Sequence, residues 1–304
     1  MSSSPKKVAL TGATGFVGSH VLAELQANGH EVTALVRNEG SAETVTGHGA
    51  VPAVVDLRDR AAVVGLLREA DAAIHTASPG DETSAEVDAA VADAAIEAFD
   101  GSGKAYIQIG GAWIYGANGA IDEDSPFDAP ALVAWREPIE RRVLDADMRG
   151  VVIVAGVAYG DGGGAVPGAL LGSPRDDVGN LIMLGSGRQH WATVHAADLA
   201  TFFRLALEDD AARGYYVVGD DLNPTVAELT EAAAVAVGAP GAVPGSDEEA
   251  RSRLGDYLAE ALLLDQAARS AKAKAELGWS PSHPGLVEEF RDGSYRADGA
   301  AAGD

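Results

Sequence analysis

The stretch TGATGFVG, Thr11 to Gly18, follows directly on the short β-branched run Lys7 to Thr11 and opens a segment, Phe16 to Asn28, of helical composition. A strand that turns on three glycines into a helix has few uses. Gly12 permits the tight turn, Gly15 lets the backbone approach a pyrophosphate, and Gly18 lets helix and strand pack closely while the helix N-terminus faces the anion.

The rest of the first half continues as a βαβ unit requires. Lys7 to Thr11, Glu31 to Arg37, Ala50 to Asp56, Ala72 to Thr76 and Ala105 to Ile109 read as successive strands. Between them Phe16 to Asn28, Asp59 to Leu67 and Glu82 to Phe99 read as Ala-rich helices. A helix from about Trp135 to Met148, with Pro138 in its first turn, and a strand from Val151 to Tyr159 complete a six-strand, doubly wound, parallel α/β sheet. The rhythm breaks at the glycine-rich Gly160 to Gly168, and HWATVHAADLA returns once to the core as a strand leading into a helix. Helices follow near Thr225 to Val237 and Glu248 to Leu264, and ELGWSPSHPGL reads as a helix stop, a turn and a last short helix. Residues 1–159 with about 189–222 therefore read as the nucleotide-binding core. Residues of about 160–188 and 223–292 read as a smaller, mainly helical C-terminal substrate lobe, and 293–304 as a flexible tail.

Composition narrows the partners. A formal charge of −24 on 304 residues repels nucleic acid and anionic membranes. No apolar run reaches the roughly eighteen residues of a spanning helix, and Met1 to Leu10 is a polar lead running into a strand, so a soluble, cytoplasmic protein is expected. With no cysteine there is no disulfide or thiolate, and the seven histidines form no HxH or HExxH pair, so no metal site is expected.

The spacing TGxxGxxG, followed in order by ALVRN, VDLRD, IHTASP, IYG and VHAADLA, resembles the extended short-chain dehydrogenase/reductase superfamily, of NAD-dependent epimerase/dehydratase type, over nearly the whole chain. LGWSPSHPGL and an unusual active-site stretch make it most similar to an atypical branch. The resemblance implies a Rossmann sheet whose loop residues Gly12, Thr14, Gly15, Phe16 and Val17 bind a dinucleotide. It also implies that Asp56 and Leu57 hold the adenine and that Ala77 and Ser78 pass beneath the nicotinamide side. Where an NAD enzyme carries a carboxylate for the ribose 2′-hydroxyl, the second strand here ends in Arg37. A guanidinium pairs with a 2′-phosphate, so NADP(H) is expected over NAD(H).

The same resemblance implies a catalytic Tyr, a Lys four residues later and a Ser upstream, and all three are absent. No Tyr in the chain has Lys at that offset. Anchoring on Pro130 and Glu140 puts Arg136 at the Lys position and Leu132 at the Tyr position, and counting back from Tyr115 puts Gly111 at the Ser position. Arg136 can hydrogen-bond ribose hydroxyls but cannot donate a catalytic proton. Tyr115, after the fifth strand, is the nominated replacement acid. Trp113, Trp135, Tyr159 and His190 are nominated for the substrate pocket, whereas His75 and His195 read as structural, with Asp198 capping the following helix, and Asp122 to Asp124 read as a solvated turn. The expected function is an NADP(H)-binding oxidoreductase acting on a small apolar or aromatic carbonyl-like substrate with a non-standard proton donor. A non-redox isomerase, lyase or cyclase and a catalytically silent nucleotide-binding protein stay open. Relatives often dimerise through the helices after Glu82 and Trp135. A homodimer is thus one possibility, although Asp88, Asp93, Arg141 and Arg142 place charge on those helices.

Overall fold

The structure, a computed structural model, describes residues 4–296. The first half runs β1 (Lys7–Thr11), α1 (Phe16–Ala27), β2 (Glu31–Val36), α2 (Glu39–Gly47), β3 (Val51–Val54), α3 (Arg60–Arg68), β4 (Ala72–His75), α4 (Ser84–Phe99) and β5 (Ala105–Gly111). A 3-10 turn (Ala112–Tyr115), β6 (Asn118–Ile121), α5 (Arg136–Asp145) and β7 (Arg149–Ala155) follow. The second half runs β8 (Val157–Tyr159), α6 (Ala165–Leu171), β9 (Leu181–Ile182), β10 (Thr193–His195), α7 (Ala196–Glu208), β11 (Gly214–Val218) and α8 (Val226–Ala236). Last come β12 (Ala242–Val243), α9 (Asp247–Leu254), α10 (Asp256–Leu262), β13 (Gln266–Ala268), α11 (Ala271–Leu277) and α12 (Leu286–Asp292).

The central sheet is parallel, in the order β11-β7-β5-β4-β1-β2-β3. Every residue of β4 and β7 is buried, as expected of inner strands covered by helices on both faces. One face carries Leu10, Ile74, Ile107, Ile153 and Tyr216 against α1 and α7, and the other carries Ala9, Ala73 and Tyr106 against α3, α4 and α5. Because β1 pairs with β2 on one side and β4 on the other, the winding reverses at β1. A crevice opens at the strands' carboxyl ends there. A second cluster gathers Tyr159, Leu170, Trp191, Leu229, Leu262 and Phe290 from the later elements.

Several elements differ from the expectation. The sheet has seven strands, not six, because β11 pairs with β7 from Gly214 to Val218. The expected strand Val151 to Tyr159 is two: β7 stays in the sheet, while β8 leaves it to pair with β10. The break falls at Gly156, where a Cβ would lie 2.7 Å from the Ala192 carbonyl oxygen. Helix α2 was not anticipated; Asn38 caps it by accepting from the Ser41 amide at 2.9 Å. The helix expected over Glu248 to Leu264 divides at Gly255, whose φ is 78°. His195, not Asp198, caps α7, and Asp198 instead accepts from Ser282 and His283. The tail is tied down at least as far as Tyr295, whose buried hydroxyl accepts from the Gly160 amide and donates to the Gly163 carbonyl; residues 297–304 lie outside the described residues. Among the described residues no helix is long and apolar enough to cross a membrane.

Candidate active site

A cleft of about 1160 Å³ runs along the carboxyl edge of the sheet. Its floor is the glycine turn. Gly12 has φ 75° and a Cβ on it would lie 2.6 Å from the Ala77 amide nitrogen, while a Cβ on Gly18 would lie 2.0 Å from the Gly12 oxygen. Only glycine fits either place. Helices α2, α3 and α8 each have a side chain capping their first turn, but α1 has none and carries no acidic residue there. Its first amides therefore have no side-chain acceptor among the described residues, and Gly15, Phe16, Val17 and Gly18 line the cleft, the arrangement that suits a phosphate. Thr14 lines the cleft beside them.

At one end β2 delivers Arg37, exposed and without a hydrogen bond or ion pair among the described residues. Across from it, Arg58 clasps Asp56, with Nε 3.1 Å from Oδ1 and Nη2 2.9 Å from Oδ2. That hydrogen bond holds the Asp56 carboxyl below the usual aspartate range. Ser41, in the first turn of α2, and Leu57 complete this end. Sequence reasoning missed Ser41, because it missed α2, and also Arg58, although VDLRD displayed it.

At the other end Ala77, Ser78, Trp113 and Arg136 line the cleft, joined by Trp191 and Gln266. A Cβ built on Gly111 would meet nothing within 4 Å, so the place of the missing Ser is open space. Arg136 Nη1 lies 3.4 Å from Asp88 Oδ2 and 3.3 Å from the Ile109 carbonyl, and the guanidinium stacks on Trp135 at 4.6 Å. Asp88 is not a surface charge. It is 5% exposed, and its Oδ1 lies 3.2 Å from His75 Nε2, whose Nδ1 lies 2.6 Å from Thr11 Oγ1. A buried polar chain thus links Arg136 to the start of the glycine turn. Asp93 on α4 pairs with Arg142 on α5, and Arg141 with Glu137, so these charges are answered within the chain.

Four nominated side chains are not brought to the cleft. Tyr115 leaves the 3-10 turn on the side away from it and is 2% exposed, tilted against Phe127 at 5.0 Å. Burial, reinforced by Glu123 and Glu140, pushes its phenol well above the tyrosine range, which makes it a poor acid. The Tyr159 hydroxyl is held between Asp220 and the Pro284 carbonyl, at 3.1 and 2.9 Å. His190 sits on the surface with Asp265, 2.9 Å away. Trp135 donates to the Leu132 carbonyl at 3.0 Å and packs with the α3–α4 cluster. In the Asp122 to Asp124 turn, Glu123 is only half-exposed and accepts from the Val217 amide at 2.8 Å.

Glu140, which served only to anchor the sequence comparison, is the unusual group of the region. It is 0% exposed, neither carboxyl oxygen has a hydrogen-bond partner among the described residues, and a Cβ on Gly110 would lie 2.9 Å from Oε1. The Tyr215 hydroxyl is a neighbour, yet no well-formed hydrogen bond joins the two. Burial pushes the carboxyl up to about 7, with Arg136 one turn earlier pulling it back only in part. Among the described residues no cluster of three or more His, Asp or Glu could hold a metal.

The model of the NAD dependent epimerase/dehydratase family matches residues 8–219. The chain is 31% identical to epimerase family protein SDR39U1 of Bos taurus, over 78% of this chain and 83% of that protein. It is 28% identical to 3-diazoavenalumate denitrifying reductase of a Streptomyces species, over 95% of this chain and 99% of that protein. The crystal structure of human SDR39U1 (isoform 2) with NADPH has the same fold, with a TM-score of 0.72 at 24% identity, covering 95% of this chain and 99% of that one. With most of its length inside the matched region, the chain belongs to the NAD dependent epimerase/dehydratase family.

Proposed function

We propose that the chain is an NADP(H)-binding oxidoreductase acting on a small apolar or aromatic carbonyl-like substrate, with a proton source other than tyrosine. The observation that carries this reading is a single cleft joining the uncapped glycine turn and two guanidiniums, Arg37 and Arg58, to an end walled by Trp113 and Trp191. Gly12, Thr14, Gly15, Phe16 and Val17 would hold the pyrophosphate, Asp56 and Leu57 the adenine side, and Ala77, Ser78 and Arg136 the nicotinamide side. Arg37, with Arg58 and Ser41 beside it, would take the 2′-phosphate. When bound, the nicotinamide supplies or accepts a hydride. Arg136 contributes fixed positive charge and hydrogen bonds there, and no tyrosine or lysine lines the cleft among the described residues. The segments of about 160–188 and 223–292 are the substrate lobe in this reading. The reductase named among the relatives and the NADPH bound by the human protein support it; the family's description names NAD, so the cofactor needs its own test.

Titration with NADPH and NADH by calorimetry gives that test. Wild type prefers NADPH by about tenfold or more, the worth of a charge-assisted hydrogen bond to phosphate, and Arg37→Ala brings the ratio close to one. Equal affinities in wild type overturn the NADP(H) assignment. Purified protein supplied with NADPH and a panel of carbonyls, imines and activated alkenes consumes NADPH in step with product; tight binding with no consumption across the panel overturns the redox reading. The absence of a phenol at the cleft favours one second reading, an isomerase or lyase that returns its cofactor unchanged.

A further inference from the structure

Strand β13 pairs with β6, setting Gln266 opposite Asn118 and beneath the 3-10 turn that carries Trp113. The Gln266 amide nitrogen donates to the Ala112 carbonyl at 2.8 Å and to the Gly116 carbonyl at 2.7 Å, which uses both of its hydrogens. The opposite amide orientation would set an oxygen against two carbonyl oxygens, so the chemistry fixes which atom is which. The carboxamide oxygen is thereby pinned. Gln266 is 3% exposed and lines the cleft, its oxygen accepts nothing among the described residues, and that oxygen is not sealed off by protein atoms. Around it the wall is apolar: Trp113, Trp191, Val157, Ala158 and Val166 line the same end, and the place of a Gly111 side chain is open.

We propose that Gln266 is a specificity-determining residue, a fixed acceptor that selects aromatic or apolar substrates carrying a hydroxyl or amino donor in addition to the group that reacts. The inference rests on the proposed function for its placement of substrate at the Trp113 and Trp191 end. A ligand without a donor strands a dehydrated oxygen in an apolar wall, whereas a ligand with one replaces the water it displaces. Sites built to hydrogen-bond a hydroxyl reject the isostere lacking it for this reason.

The test is calorimetric titration of the full chain with 2-naphthol and its isostere 2-fluoronaphthalene, probes that carry no carbonyl, imine or activated alkene to be reduced. Wild type binds the naphthol about tenfold tighter, and Gln266→Met, which keeps the volume and removes the acceptor, brings the two within about twofold. Equal binding in wild type, a preference that survives in the variant, or no binding of either probe overturns the proposal. NADPH consumption is measured with other compounds, so failure of the oxidoreductase reading is seen separately. Gln266→Met also gives up two bonds to the 3-10 turn. Should it not fold, wild type alone decides: 2-aminonaphthalene binds like the naphthol and 2-acetylnaphthalene, an acceptor only, binds like the fluoro compound, while the reverse order overturns the proposal.

Discussion

Replacing Glu140 by glutamine keeps shape and volume and removes one ionisation. In the folded chain the carboxyl releases its proton at about 7 against an ordinary 4.5, because burial disfavours the charged form more than Arg136 favours it. Those two and a half decades, at about 1.4 kcal/mol each, amount to about 3.5 kcal/mol at full ionisation. The sign follows from which state binds the proton more tightly. Below 4.5 both states are protonated and the group contributes nothing to the difference. Between 4.5 and 7 the unfolded chain ionises first and is favoured, and above 7 the full penalty stands. Wild type therefore loses stability as pH rises through this window, by about 3.5 kcal/mol more than Glu140→Gln does. Urea melts of both proteins at pH 5, 6, 7 and 8 read it directly. The gap narrows to about 1 kcal/mol at pH 5, and the variant is the more stable by the larger margin at pH 8. Parallel curves, with the same gap at every pH, refute the reasoning, because they mean that the carboxyl is already ionised in the folded state at pH 5.

Gly18→Ala drives a Cβ to 2.0 Å from the Gly12 oxygen and forces α1 off the glycine turn. Calorimetric melting is expected to show a loss of about 1 to 3 kcal/mol, together with abolished NADPH binding; a variant that binds normally contradicts the close packing. Asp88→Asn removes the charge answering Arg136 and costs about 2 kcal/mol in urea melts at pH 7, the worth of a hydrogen bond to a charged group. The same variant and Arg136→Met move the upper end of the Glu140 window in opposite directions. Asp88 raises that carboxyl and Arg136 lowers it, so the window closes at lower pH with a smaller loss in the first and at higher pH with a larger loss in the second, while its lower end stays at the unfolded value.

The parallel sheet was legible because glycine spacing and β-branched runs report local geometry that tertiary packing seldom overrides. The seventh strand, GYYVV, was not, since five residues in the irregular second half display no neighbour to pair with. Helix α2 was hidden by composition: EGSAETVTG contains glycine and β-branched residues, and a single Asn38 cap marks its start. At the site, distance along the chain gave position but not direction. Tyr115 follows β5 as expected, yet the 3-10 turn rotates it into the cluster with Phe127, whereas Trp113, two residues earlier, reaches the cleft. Gln266 had no local signal at all, because it is 154 residues from the Ala112 carbonyl that orients it. Asp88 read as a helix-face charge because nothing in SAEVDAAVADAAIEAF distinguishes it from Asp93, and only the sheet turns one inward onto His75 and Arg136 while the other meets Arg142.

The loss of three side chains changes the charge balance of this corner more than its shape. An amine at the Lys position could give up its proton, whereas a guanidinium is a fixed positive charge, and Asp88 already answers the one on Arg136. A Glu140 carboxylate would then be the second negative charge on one cation, in a place where neither of its oxygens finds a donor. Neutrality is the cheaper state there until the solution approaches pH 7. The corner therefore keeps an exchangeable proton behind Gly110, on a side chain that does not itself line the cleft, while Arg136 in the lining keeps fixed charge. A pH dependence of a reaction in the cleft that centred on about 7 and disappeared in Glu140→Gln would belong to Glu140, whereas the buried Tyr115 and Tyr159 phenols are pushed above the range in which tyrosines titrate.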